Sequence, residues 1–111
     1  DGAFVKPTME GTSVAAAGVE MPADFRVSIT DAAGKTAYPI ASFTYLLVPG
    51  DLSDAAKGNA VVEFLWWAVH DGQKFAEPLD YAPLPSAVVE KVSAKLRQLK
   101  VQGKPVQLPR G

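Results

Sequence analysis

Cysteine is absent from these 111 residues. That removes disulfides, thiolate metal sites and a cysteine nucleophile together. Histidine is nearly absent. His70 stands alone, so neither a histidine-rich metal site nor a pair of histidine catalysts can form within one chain. No block of one charge occurs either: 11 basic and 12 acidic residues leave a net charge of -1. A nucleic-acid binder normally concentrates a positive face, and none is written here. No apolar run approaches the ~20 residues that span a bilayer. The chain opens at Asp1 without a signal-peptide pattern, which reads as mature, trimmed or part of something larger.

What is present is one domain's worth of apolar material. A hydrophobic fraction of 48% is ample for a core, and nine glycines with nine prolines, spread out, indicate an ordered, loop-rich fold. Gly11-Thr12-Ser13 opens an alanine-rich run, 14–17, that Gly18 ends. Thr12 or Ser13 would cap this short helix by accepting a bond from a free N–H. The same glycine and hydroxyls at a helix start make Gly11, Thr12 and Ser13 weak anion-binding candidates.

Residues 24–30 (DFRVSIT) alternate Phe25, Val27 and Ile29 with polar neighbours, the pattern of a half-buried strand. Gly34 suits a positive backbone angle in the following loop. Residues 41–48 (ASFTYLLV) end nearly continuous in apolar groups, as expected of a strand covered on both faces. Pro49-Gly50-Asp51 stops it, and Ser53 or Asp54 caps a long central helix.

That helix carries Val62, Leu65, Trp66 and Val69 on one face and Val61, Phe64, Trp67 and Ala68 on a second stripe, so coverage on two sides is expected. Gly58 inside it costs about 1 kcal/mol relative to alanine, which a close backbone packing would offset. Gly72 is placed to end it in a left-handed cap. A last helix follows Pro85-Ser86, with Val89, Val92, Leu96 and Leu99 inward. Residues 101–111 read as a polar surface tail. Too few strands are available to bury both faces of a sheet, which points to a subdomain in need of a partner.

No catalytic constellation emerges. Adjacent His70 and Asp71 do not face each other on a helix. There is no G-x-S-x-G, Walker loop or G-x-G-x-x-G. Asp51, Asp54, Glu63, Asp71, Glu77 and Asp80 are scattered and read as solvated surface. Trp66 and Trp67 point roughly 100° apart, which fits core packing rather than one stacking platform. The expected protein is not an enzyme and holds no cofactor or metal.

Residues 38–49 (YPIASFTYLLVP) and 64–92 (FLWWAVHDGQKFAEPLDYAPLPSAVVEKV) resemble the C-terminal part of phosphate ABC-transporter substrate-binding proteins. In that family a Y/W-P-I segment leads into an apolar strand. A helix with W-A, then D/T-G-Q, then L-x-Y-A-x-L-P-x-x-V-V follow in the same order. The resemblance is clear from Gly34 to Leu99 and weaker in 4–17. It implies an α/β architecture, the C-terminal portion of a type II periplasmic-binding-protein-like fold, with one crossover strand and two main helices. Residues 1–37 would complete the second lobe, 38–48 would be the crossover (hinge) strand, and 49–111 would supply the C-terminal helices and tail of the first lobe.

The resemblance also implies a periplasmic or extracytoplasmic protein that holds inorganic phosphate between two lobes and delivers it to an ABC permease in the membrane. The family's phosphate ligands lie in the earlier two-thirds of its chain: a glycine- and serine-rich loop, a serine and an aspartate, and an arginine followed by Ser-Gly-Thr. None of these motifs is here. Glu10-Gly11-Thr12-Ser13 lacks the leading arginine and lies too close to Tyr38-Pro39-Ile40. This segment would then give hinge and lobe packing, with phosphate contacts from the missing N-terminal portion, and its partner would be a complementary segment of the same protein or another copy. The alternative is a truncated structural module that no longer binds ligand and self-associates or pairs with a partner chain.

Overall fold

The computed structural model describes residues 2–109. Among them the chain forms three α-helices, α1 (Met9–Ala17), α2 (Ala55–Val69) and α3 (Ser86–Leu96), with 3-10 turns at Asp71–Phe75 and Glu77–Leu79 after α2. Three two-residue strands, β1 (Asp51–Leu52), β2 (Lys100–Val101) and β3 (Lys104–Pro105), make a small mixed sheet in the order β1-β2-β3. β1 pairs parallel to β2, and β2 pairs antiparallel to β3. The fold class is α/β.

Two separate cores organise the molecule. In the first, Ala15 and Ala16 of α1 pack with Ile29, Ala37 and Ala41, flanked by Val14, Val19 and Phe43. The second holds Val62 and Leu65 of α2 against Leu96 and Leu99, flanked by Val48, Leu52, Trp66, Val92 and Val106. The run 41–48 starts in the first core and ends in the second. Lys91 Nζ of α3 donates to the Met21 carbonyl at 2.9 Å, a direct bond between the two halves.

Several expectations hold in detail. Asp54 caps α2, its Oδ1 accepting from the Lys57 amide at 2.9 Å. Gly58 lies where a Cβ would stand 3.0 Å from Leu52 Cβ and 3.1 Å from Val101 Cγ1, so helix and sheet meet because it has none. Gly34 has φ +132°, a backbone angle that favours glycine. Gly18 ends α1.

Others need correction. Residues 25–30 show the expected alternation of burial, with Ile29 buried, but Phe25 has φ 61° and no ladder forms. Likewise, no backbone group from 40 to 49 joins a backbone–backbone hydrogen bond among the described residues. A strand needs a neighbour for its N–H and C=O groups, and the described residues provide none for this run. Leu46 and Leu47, expected to be covered on both faces, are exposed, Leu47 at 98%.

Residues 101–109 are not a surface tail. Gln102 (φ 51°) and Gly103 (φ 74°) turn the chain into a two-residue hairpin, and Val106 and Leu108 return to the second core. In α3 the buried positions are Val88, Ser93 and Leu96, a face rotated from the expected one, with Val89 and Val92 only half-buried.

Candidate functional site

Thr12 and Ser13 sit about one turn later than a capping role requires. α1 begins at Met9 because Thr8, not Thr12 or Ser13, is its cap: Thr8 Oγ1 accepts from the Gly11 amide at 3.0 Å. Thr12 Oγ1 donates back to the Thr8 carbonyl at 3.1 Å. Gly11 is buried, its carbonyl accepts from the Tyr38 amide at 3.0 Å, and a Cβ on it would stand 3.0 Å from the Thr36 carbonyl oxygen. The glycine is therefore explained by the close crossing of 36–38 over α1.

An open depression of about 180 Å³ lies at this helix start, lined by Lys6, Thr8, Glu10, Gly11 and Thr36. Of the three candidates only Gly11 reaches it, and Glu10 brings a carboxylate to the helix end where an anion would sit. Thr12 and Ser13 are carried into the body of α1. A larger depression of about 450 Å³ runs along 31–35, lined there by Asp31 to Lys35 together with Gly2, Ala3 and Val5.

The densest polar arrangement is at the far end of α2, where the resemblance motifs fall. His70 follows α2 and stacks on Trp66, ring centroids 4.1 Å apart and planes 29° apart. Its Nδ1 lies 2.8 Å from the Trp66 carbonyl, so that nitrogen carries the hydrogen. Its Nε2 meets Ser93 Oγ of α3 at 3.1 Å, and Ser93 Oγ is also 2.7 Å from the Val89 carbonyl. The Arg97 guanidinium lies 4.7 Å over the other ring of this group, Trp66, while its Nη2 donates to the Pro109 carbonyl at 3.1 Å. These contacts lock α2 to α3.

Gly72 does not take a left-handed cap. It lies inside the Asp71–Phe75 turn beneath Trp67, where a Cβ would be 3.0 Å from the Trp67 carbonyl oxygen and 3.2 Å from Cζ3. Gln73 then bridges two elements: Nε2 donates to the Ala68 carbonyl and Oε1 accepts from the Leu84 amide, both at 2.7 Å. The D-G-Q run thus shapes the connection from α2 to α3. Sequence spacing alone gave no signal of the His70–Ser93 contact, since the two are 23 residues apart.

The scattered carboxylates also resolve. Asp54 caps α2, and Asp51 Oδ1 accepts from the Gly103 amide at 3.0 Å, holding the hairpin turn. Among the described residues no three metal-ligating side chains lie together, and no helix is long and apolar enough to cross a membrane. The second stripe of α2 departs most from expectation. Val61, Phe64 and Trp67 are exposed, Phe64 at 59%, with Trp67 flanked by Phe64 and Phe75 at ring-centroid separations of 5.8 and 6.0 Å.

No family model matches the chain. Individual relatives do. The chain is 36% identical over 95 residues to the phosphate-binding protein PstS of Xylella fastidiosa strain Temecula1, a match covering 84% of the chain and 26% of the relative. It is 32% identical over 96 residues to PstS of Pasteurella multocida, covering 85% of the chain and 28% of that relative. The chain therefore spans only about a quarter of the length of the curated relatives it matches.

Proposed function

Because the chain is, over 84% of its length, a relative of a segment of the PstS phosphate-binding proteins, we propose that it works as the C-terminal segment of a high-affinity phosphate-binding protein. In this reading the whole protein is a periplasmic or extracytoplasmic binding protein, not an enzyme, that passes inorganic phosphate to an ABC permease in the membrane. This segment gives hinge and lobe packing, and the phosphate contacts come from the remainder of the protein.

The observation that carries the reading is the pair of cores joined by one connecting run. Most of the first core comes from 14–37 and most of the second from 52–108, while Ala41 and Phe43 belong to the first and Val48 to the second. A binding protein that closes two lobes on an anion needs such a strap, whose backbone can rotate without disturbing either core. The helix start at Thr8 fits the absence of ligand residues here, since its Gly11 amide is already taken and Glu10 stands beside it.

Calorimetric titration with inorganic phosphate, sulfate serving as control, tests the assignment. The 111-residue chain alone should give no heat of binding. Combined with the Xylella relative lacking its matching 95 residues, it should restore phosphate-selective binding. Selective binding by the isolated chain would overturn the division of labour. A combination that forms no complex would favour the self-associating structural module instead.

A further inference from the structure

We infer that the outward face of α2, Val61, Phe64 and Trp67 continued by Phe75, is the seam onto which the rest of a phosphate-binding protein packs. The inference rests on the reading above and adds the surface that makes the contact.

The area demands an occupant of this kind. The chain exposes 7959 Å², whereas a self-contained monomer of 11.7 kDa exposes ~5,900 Å². The surplus of roughly 2,000 Å² exceeds the ~800 Å² that each partner contributes to a standard interface and matches permanent ones. Part of that surface lies in separate places, on Phe4, Ile40, Leu46 and Leu47, but the exposed groups of α2 adjoin one another. Phe64, Trp67 and Phe75 form one continuous aromatic row, and Val61 extends it one turn toward the start of α2. Aromatic side chains are the groups that anchor interface centres.

The row is also held rigid. Trp67 lies on the bare Cα of Gly72, and behind it Trp66 is fixed by His70 and Arg97. A preorganised surface loses little side-chain freedom on docking.

A second copy of the chain fits these facts less well. The unladdered run 40–49 needs neighbouring strands as well as an apolar cover. A two-fold dimer would offer each copy only another lone run of the same kind. The relatives extend over about four times the matched length, since the match covers 26% of the first of them, and that remainder is the body available to supply both.

The test uses the full 111-residue chain and the Xylella relative lacking its matching 95 residues, mixed and followed by sedimentation and by tryptophan emission. Unaltered chain should form a one-to-one complex with a blue-shifted emission. The double variant Phe64→Ser with Trp67→Ser, at exposed positions, should keep its far-UV circular dichroism and bind about tenfold or more weaker. Glu90→Gln, on the exposed side of α3, should bind as the unaltered chain does. Equal affinity of the double variant overturns the seam while leaving the phosphate-binding reading intact. Failure of the unaltered chain to form any complex overturns that reading and the seam with it. A homodimer that the double variant abolishes assigns the face to a second copy, against the inference.

Discussion

At the scale of single residues, the D-G-Q motif of the resemblance sets a chain path. In Asp71-Gly72-Gln73 the glycine fits under Trp67 and the glutamine ties the Ala68 carbonyl to the Leu84 amide, which fixes the route from α2 to α3. Gly72 is tightly enclosed by Trp67. The nearest atom to an added Cβ is the Trp67 carbonyl oxygen, backbone of the last turn of α2, and the next are ring atoms of the same tryptophan at 3.2 and 3.3 Å. Gly72→Ala is therefore expected to destabilise the chain by about 1–3 kcal/mol, the usual cost of overpacking. Urea unfolding, read by tryptophan emission, checks it. An unchanged midpoint would mean that the turn relaxes freely. Gly58 shows the same logic from inside a helix, where two valine methyls and Leu52 fill the space a side chain would need.

Elements were legible in the sequence where one short-range signal decided them. The Asp54 cap and the Val62, Leu65, Trp66, Val69 face fixed α2. Pro85 and the spacing of apolar residues fixed α3 to within a slightly rotated face. What could not be read was decided by partners far along the chain. Residues 24–30 and 41–48 have strand composition, yet strands exist only where neighbours complete the ladder. The α1 cap was misplaced because Thr8, Thr12 and Ser13 are chemically equivalent cappers, and only the crossing of 36–38 over Gly11 selects the first. The terminal hairpin was hidden because Gln102-Gly103 is a weaker turn signal than Asn-Gly. Its dependence on glycine is testable. Gly103 has φ 74° and its amide is held by Asp51. Gly103→Val should cost about 1–2 kcal/mol for a left-handed conformation. The loss should appear as faster hydrogen exchange at Lys100 and Val101, with α1 unaffected.

For the whole molecule, the two cores are unequal, and the inequality makes a prediction about dynamics. The Cα radius of gyration is 15.8 Å and the longest extent 51 Å, against roughly 13 Å for a compact chain of this length. The first core is built mainly of alanines around a single Ile29, whereas the second buries valine and leucine side chains under Trp66. Each additional buried methylene stabilises by about 0.8 kcal/mol, so the alanine core is the weaker by several such groups. Among the described residues its one hydrogen bond to the second half is Lys91 Nζ on the Met21 carbonyl. Hydrogen exchange followed by mass spectrometry should therefore show α1 opening well before 60–69 of α2, as two units rather than one cooperative transition. Lys91→Met should speed exchange in α1 and leave α2 unchanged, because the bond it removes lies between the cores and not within either. Equal protection of the two helices would show that the halves unfold together and that 41–48 is a rigid spacer. The expected asymmetry would instead leave the first half to be ordered by whatever covers it, which is how a segment that gains its final stability from the rest of a two-lobed protein should behave.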